Sequence, residues 1–175
     1  MPVAHSTIYW STIEYNSWKI HIAKTEKGLC CVGSPGESLE EFTAYFKKRF
    51  PSAILERNDR KLADYSQELT VYLEGSQQEF SLPTDVQGTP FQQQTWQALK
   101  QIPYGQTLSY SEIAERIGRP SAVRAVATAI GANPLLIIVP CHRVIGKNGT
   151  MAGYRGGLAF KRLLLDLETQ KLPAK

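Results

Sequence analysis

Cys141 lies in the run Pro140-Cys141-His142-Arg143, which sets a nucleophile, a potential base and a permanent cation side by side. The thiolate is the reactive form of cysteine, and nearby cations or a neighbouring base favour it. Such a cysteine could attack an electrophilic carbon. The same residues also read as a structural cysteine followed by surface charges. Two features bear on the choice. Asn133-Pro134, just upstream, can fold a side-chain-stabilised turn that orders the approach to the cysteine. Glu168 ends the helical run Lys161-Arg162-Leu163-Leu164-Leu165-Asp166-Leu167-Glu168 and offers a carboxylate. A histidine base needs an acceptor on its second ring nitrogen, so Cys141, His142 and Glu168 are candidates for a triad-like relay.

The elements that must position these residues follow from pattern. Residues 135–139 form a continuous apolar run, expected to be buried and extended, and Pro140 ends it. Upstream, Thr89 is the expected N-cap of a helix over 90–102 with Phe91, Trp96, Leu99 and Ile102 on one side. Ser109 or Ser111 starts a short helix to Ile117, closed by Gly118. Arg119-Pro120 turns the chain, and Ser121 is expected to cap a second helix through Ala132. Helix, glycine-containing turn, helix outlines a helix-turn-helix. The second helix carries almost only small side chains and one charge, Arg124. It can approach a DNA groove closely, or it can pack tightly in a core with Arg124 at the rim.

The first half alternates strands and helices. Strands are expected over 6–13, 17–23 and 27–33, with a turn at Tyr15-Asn16. Ser38-Leu39-Glu40-Glu41 resembles a capping box opening a helix to Phe50, and residues 61–74 carry Leu62, Tyr65, Leu69 and Leu73 at helical spacing. Residues 79–83 read as one more short strand. Residues 82–89 read as a linker, with Pro83, Asp85 and Gly88 as breakers. Two domains are therefore expected, an α/β support domain over 1–85 and a mostly helical domain over 86–175 that holds the site.

At 42% hydrophobic and 21% charged, the 175 residues have the composition of a globular protein with a real core. No apolar run approaches membrane-spanning length, and the N-terminus does not read as a signal peptide, so a cytoplasmic location is expected. Residues 1–87 hold 9 Lys+Arg against 12 Asp+Glu, net −3, whereas residues 88–175 hold 11 against 4, net +7. Either the second half faces a polyanion, or composition drifts between domains. Cys30 and Cys31 are adjacent on an expected strand and point to opposite faces, so they read as buried strand cysteines and not as metal ligands. With His5 and His21 they have no convincing ligand spacing, and no metal is expected.

The ordered motifs Thr89-Pro90-Phe91-Gln92, Ile102-Pro103-Tyr104-Gly105, Ser109-Tyr110, Arg124-Ala125-Val126, Asn133-Pro134, Pro140-Cys141-His142-Arg143-Val144 and Gly156-Gly157-Leu158 through Glu168 resemble the O6-alkylguanine-DNA alkyltransferases, also called methylated-DNA–protein-cysteine methyltransferases. The resemblance implies a ribonuclease-H-like α/β domain followed by a mostly α domain with a winged-helix-like helix-turn-helix. It implies that Cys141 accepts an alkyl group irreversibly from O6-alkylguanine, and also from O4-alkylthymine, flipped out of duplex DNA. His142 would take the thiol proton through a water, Glu168 would orient His142, and Asn133 would brace the turn. Tyr110 would hydrogen-bond the base and help protonate it. Arg124 would fill the space left by the flipped nucleotide, while Ser121, Ala125, Ala127 and Thr128 face the minor groove. Val144, Tyr154, Arg155 and Ile130 would line the guanine pocket. The protein would act once, as a monomer, without a cofactor. The competing readings are a non-catalytic DNA-binding module and a cysteine hydrolase.

Overall fold

The computed structural model describes residues 6–151 and 153–170, so His5 lies outside the described residues. The chain divides into two compact units, Met1–Val86 and Gln87–Lys175.

The first unit is built on a four-stranded sheet of order β3-β2-β1-β4. Strands β1 (Thr7–Tyr15) and β2 (Trp18–Lys24) form an antiparallel hairpin, and β3 (Leu29–Val32) pairs antiparallel with β2. Asn16 takes φ 53° in the hairpin turn, a left-handed conformation that asparagine tolerates better than most residues. Helix α1 (Leu39–Arg49) starts at Ser38, whose side chain accepts the Glu41 N–H. Its Phe42 and Phe46 pack on Ile8, Ala23 and Cys31 of the sheet. Full burial of each ring is worth about 1.5–3 kcal/mol, which holds the helix on that face. Helix α2 (Ala63–Leu73) packs against β1.

One expectation fails here and one strand was not foreseen. Residues 79–83 are not a strand. The Glu68 carboxylate takes the Ser81 N–H, and Pro83 has no N–H to give, so only Thr84 makes an isolated parallel bridge to Leu29. The fourth strand is instead β4 (Ile54–Arg57), parallel to β1, which pattern reading missed. It is a short, mostly exposed edge, so it carries no alternation to read.

The second unit packs three helices: α3 (Pro90–Lys100), α4 (Tyr110–Arg116) and α5 (Val123–Gly131). Thr89 with Gln92, and Ser109 with Glu112, close reciprocal capping boxes that fix where α3 and α4 begin. Trp96 is 2% exposed and donates its indole N–H to the Ala129 carbonyl at 2.8 Å, tying α3 to α5. Gly118, at φ 74°, ends α4, and α5 follows after a short turn. The cap of α5 differs from expectation. Ser121 lies outside the helix, and Ala122 holds the N-cap position with no side-chain bond. Two short strands, β5 (Leu108–Ser109) and β6 (Val144–Ile145), pair in parallel beside the cysteine, and helix α6 (Leu158–Gln170) closes the unit.

Candidate active site

The apolar run 135–139 is buried, apart from half-buried Ile138, but not extended. Val139 N–H donates to the Leu135 carbonyl and Ile138 N–H to the Leu136 carbonyl, so the chain turns, with Ile137 at φ 74°. That conformation is unusual for a β-branched residue and persists only where surroundings over-determine it. Asn133 supplies the constraint. Its Oδ1 accepts the Leu135 N–H at 2.9 Å, and its Nδ2 donates to the Val139 carbonyl at 2.9 Å and the Leu135 carbonyl at 3.3 Å. One side chain thereby replaces the ladder partners an extended strand would have used. The same Nδ2 reaches Cys141 Sγ at 3.3 Å.

Cys141, His142 and Arg143 form a single 3-10 turn that opens at Pro140 and runs into β6. Cys141 is 4% exposed. Burial pushes its thiol above the ordinary range, opposed by the Asn133 hydrogen bond and by the charges of Arg155 and Lys161. The resting sulfur is therefore a thiol, and forming a thiolate needs a proton acceptor. Burial holds His142 below its ordinary value, although the hydrogen bond to Glu168 works the other way. His142 Nε2 lies 2.8 Å from Glu168 Oε1. A carboxylate there accepts a hydrogen bond from Nε2–H and holds that proton on Nε2, which leaves Nδ1 as the basic nitrogen. Nδ1 is buried with no hydrogen-bond partner among the described residues.

Glu168 reaches this point because α6 buries Phe160, Lys161, Leu164 and Glu168 on one stripe. Two residues of the site escape pattern reading. Arg143 turns inward: its Nε lies 3.1 and 3.0 Å from the two Glu168 oxygens, and Nη2 lies 2.7 Å from Oε1. Its Nη1 donates to the Ile102 carbonyl at 2.7 Å. Breaking such a buried pair from one side costs about 3–5 kcal/mol. Lys161 is fully buried and donates to the Val144 carbonyl at 2.6 Å. Burial lowers its ammonium from the usual value, and the cysteine charge opposes this. Lys161 has no role in the sequence reading, and only its place on the helical stripe with Leu164 and Glu168 signals its burial.

Tyr110, first residue of α4, is half-buried, and burial followed by the Cys141 charge raises its phenol. Arg155 Nε donates to the Asn133 carbonyl at 3.2 Å. Val144 is buried and Tyr154 half-buried, while Ile130 lies on the inner face of α5 with Val126 and Ala129. Arg124, Ala125, Thr128 and Ser121 are exposed, and Ala127 is half-buried. With Thr89, Phe91, Gln92, Ala122 and Ala129, the first four line an open groove of about 660 Å³. Helix α5 thus has a packed inner face and a small-residue outer face carrying one cation. No helix among the described residues is long and apolar enough to cross a membrane.

Comparison with known proteins places this geometry in a family. The ribonuclease-like domain of 6-O-methylguanine DNA methyltransferase matches residues 8–86, and the DNA binding domain of the same family matches residues 90–170. The inducible methylated-DNA–protein-cysteine methyltransferase of Bacillus subtilis is 55% identical over 162 residues, covering 93% of this chain and 90% of that protein. A crystal structure of a Mycobacterium tuberculosis O6-methylguanine methyltransferase variant superposes with a TM-score of 0.82 at 38% identity, over 96% of each chain. The M. tuberculosis OGT crystallised in complex with DNA gives 0.79 at 38% identity, over 95% of this chain and 96% of that one. The chain belongs to the 6-O-methylguanine DNA methyltransferase family, with its ribonuclease-like domain followed by its DNA-binding helical domain.

Proposed function

We propose that this chain is a methylated-DNA–protein-cysteine S-methyltransferase that repairs O6-alkylguanine, and O4-alkylthymine as well, by single-use transfer of the alkyl group to Cys141. The observation that carries the reading is a buried thiol held by Asn133, next to a histidine whose outer nitrogen is fixed on Glu168 and whose inner nitrogen is left basic. His142 Nδ1 takes the thiol proton through a water. The sulfur then attacks the alkyl carbon, the carbon–oxygen bond breaks, and its electron pair goes to the guanine, which Tyr110 helps to protonate. The product on Cys141 is a thioether. No base reverses that bond, so each molecule acts once. The alkyl group arrives with its own leaving group, and no cofactor is needed.

The target atom lies inside a duplex, so the base must be flipped out. In this reading α5 enters the minor groove of double-stranded DNA through Ser121, Ala125, Ala127 and Thr128, and Arg124 occupies the space left in the stack. Val144, Tyr154, Arg155 and Ile130 line the base pocket. Residues 86–175 bind and react, residues 1–85 support them, and the protein works as a cytoplasmic monomer. The test is a time course with an excess of DNA carrying radiolabelled O6-methylguanine. A plateau at one methyl group per protein is expected. Continued turnover, as from a cysteine hydrolase, or binding without transfer would overturn the reading.

A further inference from the structure

We infer that Arg143 is a positioning residue for this reaction: its guanidinium shares the Glu168 carboxylate with His142 and so governs how firmly His142 holds a proton. The inference rests on the reading of His142 as the proton acceptor. Glu168 Oε1 is the common atom. It lies 2.8 Å from His142 Nε2, 2.7 Å from Arg143 Nη2 and 3.1 Å from Arg143 Nε. All three groups are buried, so water screens little of the interaction. A carboxylate facing histidine alone would place its whole charge on the imidazole and favour the imidazolium. Here a permanent cation binds both carboxylate oxygens, and its charge opposes protonation of the ring. The fourth contact, Nη1 to the Ile102 carbonyl, anchors the guanidinium from outside the pair. The fork is thus fixed from the turn after α3 as well as from α6.

The charged and titratable groups around His142 come from each neighbouring element. Cys141 and Arg143 share its turn, and Glu168 and Lys161 face it from α6. Tyr104, in the turn after α3, lies under the Arg143 guanidinium at 5.7 Å and also feels Glu168. Tyr110, from α4, feels Cys141. Of these groups, Arg143 bonds directly to the atom His142 uses, Glu168 Oε1.

The deciding measurement, the proton affinity of His142, needs no DNA, so it can fail while the alkyl-transfer reading stands. The chain has three histidines, which suits side-chain nitrogen NMR of the full-length protein. Arg143→Met should raise the proton affinity of His142 at least about tenfold, as removal of a unit charge bound to a shared acceptor requires at an effective dielectric near 20. Arg143→Lys, which restores the charge without the fork, should bring the affinity back toward the wild-type value. The transfer rate of Arg143→Met on O6-methylguanine DNA should then follow a displaced pH profile, and a purely structural defect would lower the rate equally at every pH. Should Arg143→Met fail to fold, Arg143→Gln keeps a donor for the Ile102 carbonyl and carries the same test. An unchanged or lowered His142 proton affinity in the folded neutral variant, or no recovery with Arg143→Lys, overturns the inference.

Discussion

Replacing Asn133 with alanine should cost the second unit more than any exposed substitution could. The side chain is 1% exposed and makes four contacts: the Leu135 N–H, the Leu135 carbonyl, the Val139 carbonyl and Cys141 Sγ. Alanine leaves the buried Leu135 N–H without this partner, which costs about 1–3 kcal/mol, and removes one of two donors from the Val139 carbonyl, which keeps the Cys141 N–H, at about 0.5–1.5 kcal/mol. The turn also holds Ile137 at φ 74°, so losing its brace lets that strain relax by opening the loop. A loss of about 2–4 kcal/mol is expected from one orphaned donor and one lost hydrogen bond. Denaturant unfolding followed at Trp96, in a background with Trp10 and Trp18 replaced by Phe, reads the second unit. Asn133→Asp is the sharper companion. It keeps the acceptor for Leu135 but turns an oxygen toward two carbonyls and the sulfur, so it should react more slowly than its stability loss explains. A loss below about 1 kcal/mol for Asn133→Ala would refute the bracing role.

Three more outcomes follow from the same geometry. Burial lowers the proton affinity of His21 and His142, so the unfolded chain binds protons first as pH falls. Their contribution to stability is complete above the ordinary histidine value, near 6.5, and erodes below it; urea midpoints that rise between pH 7 and pH 5 would contradict this. Lys161→Met removes a buried cation that favours the Cys141 thiolate, so transfer should slow about tenfold or more at neutral pH, and an unchanged single-turnover rate would contradict that role. Arg124→Ala touches an exposed side chain, so the unfolding midpoint should stay fixed while DNA affinity, measured by fluorescence anisotropy, and transfer both fall about tenfold; normal transfer would exclude the intercalating role.

How far the sequence foretold this structure varied with the kind of residue. The cap at Thr89, one of the two offered at Ser109 or Ser111, and the hairpin at Asn16 were legible because one or two side chains decide them, whereas the cap expected at Ser121 was not found. The adjacency of Cys141 and His142 was visible in the chain itself, whereas the contact of Glu168 with His142 spans 26 positions and depends on how α6 docks. Arg143 was read as a surface charge or a nearby cation, because nothing in Pro-Cys-His-Arg shows which way a side chain turns. Its buried partner lies 25 positions away. The run 135–139 misled for a physical reason. Apolarity reports burial, but the backbone path was decided by the amide of Asn133. Strand β4 was missed because pairing with β1 creates it, and four mostly exposed residues carry no periodicity of their own.

The central claim is that Cys141 sulfur becomes the final owner of the alkyl carbon. Intact mass and peptide mapping after incubation with duplex DNA carrying one O6-methylguanine test it directly, with Cys141→Ala alongside. The account predicts one added methyl group, located on Cys141, and none on the alanine variant, which still binds the DNA. A methyl group on Cys30 or Cys31, or no mass gain with DNA bound, would contradict it.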